Sequence, residues 1–153
     1  MSFKLSKRSL AKLEGVDERL VAIVKYAITE TSVDFGVIEG LRSIERQREL
    51  VAKGASQTMS SKHIPGEAVD LMAYVGRPAR ASWELNLYDE IADAMKKAAE
   101  VVDAPLRWGC AWHITDIRAW NGTMEEAMND YIDLRRSQGR RPFLDGPHFE
   151  LSD

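Results

Sequence analysis

Ser61-Lys62-His63-Ile64-Pro65-Gly66-Glu67-Ala68-Val69-Asp70 joins a turn-rich loop to an apolar run. Residues 54–66 are rich in Ser, Thr, Gly and Pro and read as a loop, whereas 68–74 read as a short, mostly buried strand. His63 and Asp70 thus flank a loop-to-strand transition. Gly66 permits a tight turn between them, and the strand gives Asp70 a rigid base. A second polar group, Asp145-Gly146-Pro147-His148, stands near the other end of the chain. After it Phe149 and Leu151 alternate with His148 and Glu150, which predicts a strand carrying His148 and Glu150 on one face.

Around these two segments the pattern alternates helix and strand. Asp17 can cap a helix whose apolar face is Leu20, Ile23, Val24, Ala27 and Ile28. Asp34 to Leu41 reads as a strand ending at Arg42, and Ser43 can cap a polar helix running toward Lys53. An amphipathic helix is expected from near Ser82 through Val102, then a strand over Leu106 to Trp108. Thr123 and Glu126 have capping-box spacing ahead of Met124, Ala127, Met128, Tyr131 and Leu134. That face is expected to be core, and Arg135, Arg136, Arg140 and Arg141 a solvated helix end. The stretch from His113 to Phe143 is long for a connection between core strands, and covering the cleft is one expectation for it.

The chain has 153 residues, enough for one domain with a continuous core. No apolar run approaches the ~20 residues of a bilayer span, so no stable membrane association is expected. The first residues lack the apolar core of a secretory signal. Twenty-one basic residues against 24 acidic give a net charge of -3, which argues against a general nucleic-acid binder. The one cysteine, Cys110, has no partner for a disulfide or a thiolate metal site and reads as a small packing residue. A metal would have to use His and carboxylates.

Two imidazoles and a carboxylate can fill three tetrahedral positions on zinc and leave the fourth open, the pattern of a catalytic rather than a structural site. Each residue alone has a plainer reading, since a lone imidazole is often a hydrogen-bonded surface or core group and Asp beside Gly often forms a turn.

Residues 61–70 fit Ser-x-His-x-x-Gly-x-Ala-x-Asp at every fixed position, and a terminal Asp-x-x-His follows. The chain thereby resembles the LAS, or M15-like, zinc peptidase superfamily of D-alanyl-D-alanine carboxypeptidases and endolysins. Phe3-Lys4-Leu5-Ser6, Asp34-Phe35, Gly40-Leu41-Arg42-Ser43 with Gln47, and Arg107-Trp108-Gly109 with Trp112 extend the resemblance toward phage endolysins.

The resemblance implies an α+β fold, with a small, mainly antiparallel sheet carrying the metal site and helices around it. It implies zinc held by His63, Asp70 and His148, with Asp145 as general acid/base. Arg42 would face the cleft and neutralise oxyanion charge or hold a substrate carboxylate. Ser61, Gln47 and Trp112 would bind substrate, Gln47 by supporting Arg42 and Trp112 by lining the cleft. Glu150 would orient a metal ligand, while Glu67 is expected to be exposed and His113 to pack or lie at the surface. The implied reaction is hydrolysis of the L-alanyl-D-glutamate bond of peptidoglycan stem peptides, by a monomer made in the host cytoplasm and later admitted to the wall. Two alternatives stand beside it: a D-alanyl-D-alanine carboxypeptidase, and a non-catalytic zinc module of the Hedgehog type.

Overall fold

The computed structural model describes residues 2–153, and in it the apolar periodicities become one sheet whose apolar face packs against helices. Helix α1 (Lys7–Lys12), which the sequence reading did not anticipate, starts where the Ser6 hydroxyl accepts from the Ser9 amide. In α2 (Glu18–Glu30) Asp17 caps as expected, and all five apolar positions of its face are buried. Strand β1 (Asp34–Glu39) precedes α3 (Ile44–Ala52), which Ser43 caps through the Arg46 amide.

Strand β2 (Ala68–Val75) is the centre of the sheet. β1 runs antiparallel along one edge of it. The other edge is shared: its first half pairs with β5 (His148–Leu151) and its second with β3 (Arg80–Ser82). β4 (Leu106–Trp108) closes the sheet beside β5. Val37, Val69, Leu71, Leu106, Trp108, Phe149 and Leu151 enter the core with α2 and α4 (Leu85–Val102). Period-2 alternation therefore sends Asp70, His148, Glu150 and Arg107 to the opposite face.

Three expectations change. The helix expected from near Ser82 begins at Leu85, because Ser82 pairs with Ala73 in β3 and its carbonyl accepts from the Tyr88 hydroxyl. Of the stretch 113–143 only Phe143 reaches the cleft. The stretch forms a 3-10 turn at Ile117–Ala119 and α5 (Met124–Ser137), which docks on α4 with the Met124 amide bonded to Asp93. Leu134, placed on the buried face of α5, is exposed near the arginine-rich end.

Candidate metal centre and cleft

His63, Asp70 and His148 reach one point from three elements: the loop before β2, β2 itself and β5. Asp70 and His148 are direct register partners, and their side chains share the polar face. Gly66 carries φ +76°, and a Cβ there would stand 2.5 Å from the Gly15 carbonyl oxygen, so the turn that folds His63 toward Asp70 needs glycine. One ligand-type atom from each of the three lies within 4.8 Å of the others.

Their hydrogen bonds determine which ring nitrogens face that point. His63 Nδ1 donates to the Gly40 carbonyl at 2.8 Å, leaving Nε2 toward Asp70 at 3.3 Å. His148 Nε2 donates to Glu150 at 2.8 Å, leaving Nδ1 toward Asp70 at 3.3 Å. Each imidazole thus has one nitrogen fixed from behind and one aimed inward, as metal-binding histidines do. His63 Nε2 is buried without a hydrogen-bond partner, an orphaned acceptor that a cation would satisfy. The donor set of two nitrogens and one carboxylate suits a zinc-like ion, so the residues present fit a metal.

The electrostatics are those of a tightly paired cluster. Burial disfavours ionised Asp70, but the nearby His148 and His63 rings outweigh it and hold its carboxyl well below the usual carboxylate range. Burial likewise disfavours charged His148, yet Asp70 and Glu150 push it up to about 9. Asp145 is raised, first by desolvation and then by the Asp70 charge, with His148, His63 and Arg42 opposing. Asp145 is placed by backbone: its amide donates to the Gly109 carbonyl at 2.8 Å, and its carbonyl accepts from His148 at 3.1 Å. A Cβ on Gly109 would lie 2.1 Å from that Asp145 carbonyl oxygen, so glycine alone allows this approach.

Arg42 is buried and its fork is committed. Nε donates to Glu39 at 2.7 Å and Nη1 to Gln47 at 2.7 Å and Ser61 at 3.4 Å, while Nη2 lies 3.7 Å from Asp70. Ser61 also accepts from the His63 amide, and Gln47, fully buried, donates to Ser56. Glu39 was not anticipated. An irregularity between Val37 and Glu39 brings Glu39 opposite Asp70, and no sequence pattern announces such a bulge. Glu67 is half-buried and paired with Lys62 at 3.5 Å rather than exposed. Cys110 is buried, and burial pushes its thiol up to about 12, which suits packing and not nucleophilic attack. His113 lies apart, bonded to Asp130 at 2.8 Å.

The His63, Asp70 and His148 cluster, Arg42 and Ser61 border one open cleft of about 800 Å³, lined also by Trp112, Phe143, Asp145 and Arg107, while Gln47 stands behind Arg42 and does not line it. Trp112 stacks on Phe143 and tilts against His148, with ring centroids 6.1 and 5.4 Å apart. Of these, Phe143 and Arg107 were not singled out as site residues. Alternation with the buried Leu106 and Trp108 was the signal that could have found Arg107.

The chain is similar throughout its length to known peptidases. The L-alanyl-D-glutamate peptidase of Escherichia phage T5 is 28% identical over 155 residues, spanning 99% of each chain. The solved structure of the Serratia marcescens L-Ala D-Glu endopeptidase ChiX matches with a TM-score of 0.71 at 34% identity, covering 97% of this chain and 90% of that one. A family model described as phage L-alanyl-D-glutamate peptidase matches residues 1–152, and the chain belongs to that family.

Proposed function

We propose that this chain is a zinc peptidase that hydrolyses the L-alanyl-D-glutamate bond of peptidoglycan stem peptides, as an endolysin acting on the bacterial wall. Family membership supports the bond. The observation that carries the metal chemistry is the convergence of His63 Nε2, Asp70 and His148 Nδ1, each ring oriented from behind. Zinc held there would polarise the scissile carbonyl and make water more acidic.

The chain's own groups supply the rest. Asp145, with a carboxyl raised by burial, takes a proton from the attacking water and returns it to the leaving nitrogen as the C–N bond breaks. Arg42 holds Asp70 and keeps positive charge beside the developing oxyanion. Glu150 fixes the His148 tautomer, and Ser61 and Gln47 fix Arg42. Trp112 forms an apolar wall for the stem peptide. One chain supplies the whole proposed site, so no second copy is needed to complete it. No helix among the described residues is long and apolar enough to cross a membrane.

Mass spectrometry of digested peptidoglycan tests the bond. New stems should begin at D-glutamate, with L-alanine left on the glycan-linked lactyl group; release of free D-alanine alone would replace this reading with a carboxypeptidase.

A further inference from the structure

Arg107 has no part in the mechanism above, yet it borders the same cleft. It sits in the middle of β4 opposite Glu150, on the sheet face that also carries Asp70 and His148. Its guanidinium is posed by a carbonyl and a ring instead of an acid. Nε donates to the Trp112 carbonyl at 3.0 Å, Nη2 donates to the same oxygen, and Cζ lies 5.3 Å from the Trp112 ring centroid. Trp112 also contacts the His148 ring, so the guanidinium stands one aromatic ring away from the metal cluster.

The other cations of the cleft already have carboxylate partners. Arg42 pairs with Glu39 and Asp70, and Lys62 with Glu67. Glu150, the acid nearest Arg107 in register, is bonded to His148. Among the described residues no carboxylate lies within ion-pair distance of Arg107, and its Nη1 makes no hydrogen bond. The cleft therefore holds one half-buried guanidinium with no carboxylate in contact with it, although Glu150 feels its charge.

The substrate class supplies one anion at the corresponding place. Glutamate has two carboxyl groups; the stem continues through one, and the other is free beside the leaving nitrogen. On the acyl side, alanine offers a methyl group and an acylated nitrogen, neither of them charged. We propose that Arg107 is a specificity-determining residue that binds this free D-glutamate carboxylate, an inference that rests on the L-alanyl-D-glutamate reading. A planar guanidinium held along one edge can present its remaining donors to a carboxylate, which an amide in the same place cannot match.

The test uses two synthetic lactyl stem peptides, identical except that the free D-glutamate carboxylate of one is a carboxamide in the other. The zinc-loaded wild type should cleave the acid form with kcat/KM at least ~10-fold above the amide form, mainly through KM, as expected for a charge-assisted bond made in ground and transition states alike. Arg107→Gln should remove most of that preference, losing ~10–100-fold on the acid form and little on the amide form while keeping zinc. Arg107→Lys should restore part of it. Equal wild-type cleavage of the two stems would overturn the proposal without any variant, as would an equal loss on both stems in a zinc-replete Arg107→Gln. The position of the cut is read in the same spectra, so hydrolysis at another bond would identify failure of the underlying function reading separately.

Discussion

Asp145 and His148 stand three positions apart and are assigned different work, one moving protons and the other holding metal. Asp145→Asn keeps size and backbone placement but removes the proton acceptor, so zinc content should persist while kcat falls by at least ~10²-fold. His148→Ala should instead lose the metal. Zinc lost from Asp145→Asn but kept by His148→Ala would reverse the two assignments. The environment of His148 gives a pH prediction with a definite sign. In the metal-free protein its pKa is raised to about 9 by Asp70 and Glu150 against the cost of burial. Its pairing therefore stabilises the metal-free fold fully below about 6.5, and this contribution fades as pH rises through about 9. At pH 7 the imidazole carries a proton that metal must displace. Calorimetric titration with zinc in buffers of different ionisation enthalpy should show release of about one proton, and affinity should rise with pH across that window. Proton-neutral binding at pH 7 would contradict this arrangement.

At the scale of elements, the close approach of the segment after β4 to the segment before β5 sets the position of Asp145. Gly109 and Asp145 exchange backbone contacts so close that a Cβ at position 109 would meet the Asp145 carbonyl oxygen at 2.1 Å. Neither partner is the end of a flexible side chain, so the strain cannot be relieved by a rotamer change. Gly109→Ala should cost about 1–3 kcal/mol in denaturant unfolding and lower turnover more than zinc affinity, because Asp145 moves while β2 and β5 still hold Asp70 and His148. Unchanged stability and kinetics would show that the approach is not constraining. The bulge in β1 is a second such device: it brings Glu39 opposite Asp70, where Glu39 anchors the Arg42 fork.

Across the whole molecule, the proposed metal would tie a loop, a central strand and the terminal strand into one cluster, joining positions 63, 70 and 148. Binding only to the folded state at 100-fold above Kd stabilises by about 2.7 kcal/mol, so chelation should lower Tm by roughly 5–10 °C in a chain of this size, and zinc should restore it. A Tm indifferent to chelator and to added zinc would argue against that clip. The local helix signals were legible in the sequence because they act over three or four residues: Asp17, Ser43 and Thr123 each cap the helix that follows. Alternation placed His148 and Glu150 on one face, and the Gly66 turn followed from backbone freedom. The spacing of His63, Asp70 and His148 supplied candidates for the site. Helix α1 escaped notice because it is short and mostly polar, and β3 because its pairing with β2 lies outside any local periodicity. Only the tertiary structure decided which nitrogen of His63 faces inward, since its partner is the distant Gly40 carbonyl, whereas His148 is oriented by Glu150, two residues along its own strand. Tertiary structure alone left Arg107 without an acid in contact while Arg42 and Lys62 were paired. Composition and spacing determine which groups a chain carries, but the charge state, direction and vacancy of each depend on neighbours brought near from distant positions.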